Sequence, residues 1–127
     1  MLNIIPKPRK TLLWAGGSKK DLLAMPIAMR KDFGVALDIA QQGLTPEGAK
    51  LLKGKVAGAT QLSEDHQGDT YRAVYTVELE GCIYVLHCFQ KKSKKGAETP
   101  KPDLNLIEAR LKAAKSLHAE RKRKNDD

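Results

Sequence analysis

The sequence has no long apolar run, and it has only two cysteines and three histidines. These shortages limit the classes of protein to which the chain can belong. No apolar stretch approaches the roughly 20 residues that a membrane-spanning helix needs. The N-terminus, MLNIIPKPRK, places a short apolar start before its charges, which is the wrong order for a signal peptide. We therefore expect a cytoplasmic protein with no membrane partner.

The two cysteines, Cys82 and Cys88, lie on one predicted strand. At about 3.3 Å per residue their Cα atoms would be roughly 20 Å apart, whereas a disulfide needs Cα atoms within about 7 Å. Strand alternation also places His87 on the opposite face from Cys88, which argues against a metal site. We expect the cysteines to be small core residues, and the residues indicate neither a metal nor a small-molecule cofactor.

The sequence has an excess of basic over acidic residues. Its 127 residues include 23 Lys and Arg against 15 Asp and Glu, which gives a net charge of +8. This length is that of one domain with a modest core. The charge favours a polyanionic partner, with nucleic acid ahead of an acidic protein or an anionic membrane.

The functional interpretation rests on residues 71–95, YRAVYTVELEGCIYVLHCFQKKSKK. Residues 71–79 alternate between two faces, with Arg72 on the face opposite Tyr71, which predicts a strand. Glu80-Gly81 predicts a turn. Residues 82–89 are apolar on both faces, as in a central strand, with His87 on the face of Ile83, Val85 and Phe89. The hairpin therefore delivers four cations from fixed positions, namely Lys91, Lys92, Lys94 and Lys95.

The remaining elements follow from periodicity and turn signals. A stripe containing Met29, Phe33, Leu37 and Leu44 predicts a helix over 27–42. Asp103 suits the N-cap of a C-terminal helix that frays from His118. The elements are strand 11–15, helices 19–25 and 27–42, loop 45–58, strands 59–64, 71–79 and 82–89, and a helix from 104.

This order, β-α-α-β-β-β-α, predicts an α+β fold with helices on one face of a small, mainly antiparallel sheet. The N-terminal helices form a hairpin. We expect one domain over 1–127, in which the lead-in 1–10 and the charged tail 118–127 are mobile.

The sequence resembles the RelE/ParE superfamily of bacterial toxins, and within it the HigB-like, phage-derived branch. The resemblance covers roughly residues 10–116 and rests on LLWAGGSKKDLLAMP, FGVALDIAQQG, GDTYRAVYTV and FQKKSKKG followed by TPKPD. It implies a toxin of a type II toxin–antitoxin pair that cuts mRNA in the ribosomal A site. The implied partners are mRNA on the small (30S) ribosomal subunit and a helix-turn-helix antitoxin.

The resemblance also assigns roles to residues. Arg72 matches the arginine of the family's YR-x-V-Y strand and would contact a phosphate; otherwise it is a solvated cation paired with Glu64 or Glu78. Lys92 stands where the family usually has a catalytic Arg, and Lys91 or Lys92 would act as a base or simply bind RNA. His87 is a candidate for acid–base work or a core residue. The expected RNA contacts are Lys94, Lys95, Ser93, Lys53 and Lys55.

The sequence departs from this branch in the strand before the hairpin. Gln61 and Ser63 stand where we associate the branch with an acidic and a basic residue. Two other functions therefore stay open. One is a ParE-like inhibitor of DNA gyrase, and the other is a nucleic-acid-binding module without catalysis.

Overall fold

The computed structural model describes residues 8–91 and 98–126 of the chain. These residues form five strands, three α-helices and one 3-10 turn. In chain order they are β1 Thr11–Trp14, α1 Ser18–Leu23, α2 Ile27–Gln41, β2 Lys50–Leu51, the 3-10 turn Gly54–Val56, β3 Ala59–His66, β4 Asp69–Thr76, β5 Cys82–Lys91 and α3 Lys101–Asp126.

The strands form one sheet in the order β1-β5-β4-β3-β2. β1 pairs in parallel with the first part of β5, and the other pairs are antiparallel. β3 and β4 are joined by Gln67-Gly68, both with positive φ, as a two-residue hairpin turn requires. The α+β prediction is confirmed, and the sheet gains the short edge strand β2.

Helices cover both faces of the sheet, because alternate strand residues enter two different cores. Tyr71, Ala73 and Tyr75 pack under α1 and α2, whereas Val74 packs under α3. The prediction of helices on one face therefore holds for α1 and α2 alone. The apolar stripe of α3 predicted that this helix packs on the sheet, but it did not indicate on which face of the sheet.

The structure confirms some of the local predictions and contradicts others. Met29, Phe33 and Leu37 are buried on α2 as predicted, whereas Leu44 lies beyond the helix and is exposed. Asp103 is not an N-cap, because α3 already begins at Lys101. α3 also continues to Asp126 through the region predicted to fray. Both cysteines are buried and free, as predicted.

Within the described part of the chain, no helix combines the length and the apolar character required to cross a membrane.

Candidate active site

The candidate site lies on the α3 face of the sheet, where three strands align in register. Arg72 of β4 pairs with Phe89 of β5 and with Ser63 of β3. Residues directly opposite in antiparallel strands share a face. In the neighbouring row Val74 pairs with His87. Since Val74 packs under α3, Arg72 and His87 face the same helix.

A β-bulge in β5 sets the direction of His87. Val74 pairs with His87 and Tyr75 with Val85, so Leu86 is the extra residue. Ile83 and Val85 therefore face α1 and α2, whereas His87 turns towards α3. The prediction that His87 shares a face with Ile83 and Val85 is wrong, because period-two alternation does not survive the bulge. Its grouping with Phe89 is correct, since the two rings stack at 4.5 Å between centroids.

His87 forms a close pair with Asp103 of α3. The distance from His87 Nε2 to Asp103 Oδ1 is 2.8 Å, and the His87 side chain is 8% exposed. With Asp103 ionised and His87 neutral, Nε2–H donates to the carboxylate and Nδ1 keeps its lone pair. Nδ1 is buried and has no hydrogen-bond partner among the described residues. The pair thus fixes the tautomer and leaves a proton acceptor unused.

Arg72 is buried, with 4% of its surface exposed, and is not an open surface cation. Burial lowers the pKa of Arg72, and the negative charge of Asp103 acts in the opposite direction. A guanidinium remains charged at neutral pH even so. The alternative in which Arg72 is a solvated cation is therefore wrong, while its place beside the other candidate residues on β5 is retained.

The Thr99 hydroxyl bridges Arg72 and Gln61. Arg72 Nη1 donates to Thr99 Oγ1 at 3.1 Å, and Thr99 Oγ1 donates to Gln61 Oε1 at 2.9 Å. Gln61 is itself buried on β3. The departure from the family pattern at Gln61 thus has a structural role, since it orients the hydroxyl that receives the arginine.

Lys91 is the last residue of β5 and pairs with Thr70 of β4. It lies two positions after Phe89, on the α3 face, and is half-buried. Arg72 and Lys91 are therefore on adjacent strands and on one side of the sheet. Four further candidate residues follow Lys91 in the sequence and lie outside the described residues, namely Lys92, Ser93, Lys94 and Lys95.

A cleft of about 530 Å³ opens at the edge of β5 beyond the end of β1. His87, Phe89 and Asp103 line it, together with Asp21 and Met25 from the α1 side. Its volume falls within the range of ordinary ligand pockets. His87 is therefore placed at the wall of a cleft, although its Nδ1 is buried.

Lys53 and Lys55 line a second cleft, of about 520 Å³, together with Lys101. Pro100 lines both this cleft and the one at His87. The connector through Pro100 therefore separates the two lysines from the His87–Asp103 pair. The structure therefore places Lys53 and Lys55, two of the predicted RNA-binding residues, beside the connector that also lines the His87 cleft.

From the sequence we did not identify Thr99 as part of this site, and we assigned Asp103 to a helix N-cap instead of to a pair with His87. Both residues belong to the TPKPD segment, which carries part of the family resemblance but does not indicate which side chains these residues contact. Among residues 8–91 and 98–126, no group of three or more His, Cys, Asp or Glu side chains is arranged to hold a metal ion.

The family described as Phage derived protein Gp49-like (DUF891) matches residues 20–112. The chain belongs to the Gp49-like family. This family is of the RelE/YoeB toxin type, which confirms the resemblance to the phage-derived branch.

Among solved structures, the Gp49-like chain is similar to one from Mycobacterium tuberculosis, the toxin–antitoxin complex RelBE2. The two share 18% identity with a TM-score of 0.41, over 67% of this chain and 94% of that chain. No curated protein gives a significant match.

Proposed function

We propose that this protein is the toxin of a type II toxin–antitoxin pair and that it cuts mRNA in the ribosomal A site without a metal ion. Membership of a RelE/YoeB-type family supports the toxin assignment. The observation that carries the catalytic part is the 2.8 Å pair of His87 and Asp103 on the face that also holds Arg72.

The proposed reaction is attack by a ribose 2′-OH on the adjacent phosphate. The O2′–P bond forms and the P–O5′ bond breaks with its electron pair moving to O5′. A base must therefore remove the 2′ proton, and O5′ must take a proton from an acid or from water. His87 Nδ1 is the acceptor that the site supplies, with Lys91 and Lys92 as the other candidate bases. Asp103 would hold the imidazole in the required tautomer and stabilise the imidazolium that forms.

We assign charge stabilisation to Arg72. Its Nη1 now donates to a neutral hydroxyl, Thr99 Oγ1, and phosphate oxygens are stronger acceptors for a guanidinium. We therefore propose that RNA takes the place of Thr99 as the acceptor of that hydrogen bond. Because Arg72 and His87 Nδ1 are both buried, this step requires the cleft to open when RNA enters.

The surrounding lysines would hold the message. Lys53 and Lys55 are exposed beside the Pro100 connector, and Lys91 ends the strand that carries His87. Together with Ser93, Lys94 and Lys95, they would supply phosphate contacts whose strength falls as the salt concentration rises.

A nucleic-acid-binding module without catalysis is the second candidate function. The burial of Arg72 favours it, because a side chain that is 4% exposed holds a structural hydrogen bond as readily as a phosphate. In this reading the lysines bind RNA, and the His87–Asp103 pair fastens α3 to the sheet.

Expression of the chain in bacteria with mapping of transcript 5′ ends separates these functions. We expect growth arrest with new 5′ ends in phase with codons, relieved by a co-expressed helix-turn-helix antitoxin. An SOS response without cuts would indicate gyrase inhibition. Undisturbed growth and intact transcripts would indicate a binding module.

A further inference from the structure

A groove lies between β1 and α3, on the α3 face of the sheet, and the proposed catalysis does not use it. It consists of two clefts of about 340 and 420 Å³ that share Arg121. The α3 residues that line it recur every three or four positions from Arg110 to Lys122, which is one stripe of the helix. At 1.5 Å per residue this stripe is roughly 18 Å long.

Tyr84 places an unused hydroxyl in this groove. The side chain is 4% exposed, and its Oη is buried without a hydrogen-bond partner among the described residues. A buried hydroxyl without a partner is unfavourable, because it has lost its hydrogen bonds to water. Nδ1 of His118, whose ring lies edge-on to Tyr84 with centroids 6.1 Å apart, is also buried and lacks a hydrogen-bond partner within 8–91 and 98–126.

The groove combines positive charge with apolar walls. Burial raises the pKa of Tyr84 and Cys82 adds to this, while the positive charge of nearby Arg121 acts in the opposite direction. Arg110 lines the same cleft with Nη1 bound to the Leu86 carbonyl at 2.8 Å. Leu117 is 54% exposed on the wall. A ligand that suits these groups carries carboxylates on an apolar body.

We propose that this groove binds an acidic, amphipathic segment of a partner polypeptide. Apolar side chains of the segment would cover Leu117 and Leu13, and a carboxylate would accept a hydrogen bond from the Arg121 guanidinium. Because the Tyr84 hydroxyl is buried, it would donate to the same carboxylate only after the groove opens around the incoming segment. Within the proposed function this partner is the antitoxin, and only its identity rests on that proposal.

Length and charge favour a polypeptide over a small acid. The stripe from Arg110 to Lys122 is longer than a small carboxylate. Arg121 lines both clefts, whereas Lys122 already pairs with Glu80 at 3.4 Å. The whole chain carries a net charge of +8, which attracts an acidic partner.

The test is a calorimetric titration of the full chain with a capped peptide that repeats Leu-Glu-Glu-Leu-Leu-Glu-Glu. About 14 residues suffice to span the groove as a helix. A second peptide with Gln for every Glu, and octanoate as a small carboxylate, are titrated in parallel. Tyr84→Phe and Arg121→Gln test the site. Lys112→Gln is the matched control, since this α3 lysine is exposed and outside the groove.

We expect the acidic peptide to bind the wild type with a saturable heat signal and to bind at least about tenfold more weakly to Tyr84→Phe and Arg121→Gln, as for hydrogen bonds to charged groups. Lys112→Gln should change affinity less than about threefold, and the Gln peptide should bind poorly. Tyr84→Phe should unfold at no lower temperature than the wild type, because the lost hydroxyl has no described partner.

Three results would overturn this inference. The first is the absence of saturable binding of the acidic peptide to the wild type, and the second is equal weakening by Lys112→Gln and Arg121→Gln, which would show diffuse charge attraction. The third is tighter binding of octanoate than of the peptide, which would make the groove a small-molecule site. None of these measurements uses mRNA or ribosomes, so failure here is distinct from failure of the proposed nuclease.

Discussion

His87 Nε2 lies 2.8 Å from Asp103 Oδ1, and this contact joins the middle of the sheet to the first turn of α3. The two residues are 16 positions apart in sequence. The bulge at Leu86 turns the imidazole towards the helix, and the helix brings the carboxylate. A proton acceptor with a fixed tautomer results beside the buried charge of Arg72.

Asp103→Asn should slow mRNA cleavage by at least about tenfold, because the amide cannot stabilise a protonated imidazole as a carboxylate does. The amide can still accept the hydrogen bond of His87, so we expect kcat to fall and KM to stay within about threefold. Single-turnover rates at several mRNA concentrations separate the two constants. Equal loss of binding and rate would indicate that Asp103 only maintains the fold.

Arg72→Ala should destabilise the fold by about 1.5–3 kcal/mol, because it removes the charged donor that Thr99 accepts from. Urea denaturation measures this change in the free energy of unfolding. Lys115→Ala on exposed α3 surface is the control and should stay within about 0.5 kcal/mol. A change as small as that of the control would contradict the structural role of the Arg72–Thr99 bond.

Gly34→Ala should stabilise α2 by about 1 kcal/mol, since a Cβ there meets nothing within 4 Å and glycine disfavours a helix. Gly16→Ala should destabilise instead, because Gly16 has a φ of +52° and its Cβ would lie 2.7 Å from Arg110 Nη2. Thermal melting compares the pair, and effects of one sign would contradict the structure.

Stability should fall in alkali between about pH 9 and pH 12. Burial, with a smaller contribution from Asp21, raises the pKa of Cys88 from 9.0 to about 12, and burial raises that of Tyr75 from 10.0 to about 12. Both groups must stay protonated in the folded state. Their contribution is therefore complete below the unfolded pKa and is lost as pH rises through the folded pKa, by up to about 1.4 kcal/mol per pH unit and group.

Cys88→Ala tests this assignment when its unfolding is measured from pH 8 to pH 11. Its curve should start lower, because a buried group is lost, and then fall less steeply than that of the wild type. Parallel curves would show that Cys88 does not ionise on unfolding in this range.

The sequence was enough to predict four of the five described strands, the three helices and the side of the sheet on which Arg72 lies, because these depend on local periodicity. It was not enough to place His87, since one extra residue in β5 shifts the alternation without any mark in the composition. The stripe of α3 likewise does not say which face it covers.

The partners of the candidate residues depend on contacts distant in sequence. Thr99 and Gln61 are 38 positions apart, and only the folded sheet brings them together. A solvated Arg72 was the alternative that the sequence left open, because its strand alternates apolar and polar residues. In the structure α3 and its connector cover that polar face, which no pattern within the strand could indicate.

The most direct test of the nuclease is cleavage of a defined message bound in the A site of purified ribosomes, comparing the wild type with His87→Asn. We predict that His87→Asn lowers the cleavage rate at least about 10²-fold. Circular dichroism should show that both proteins are equally folded. An undiminished rate for His87→Asn would contradict the role of the His87–Asp103 pair in catalysis.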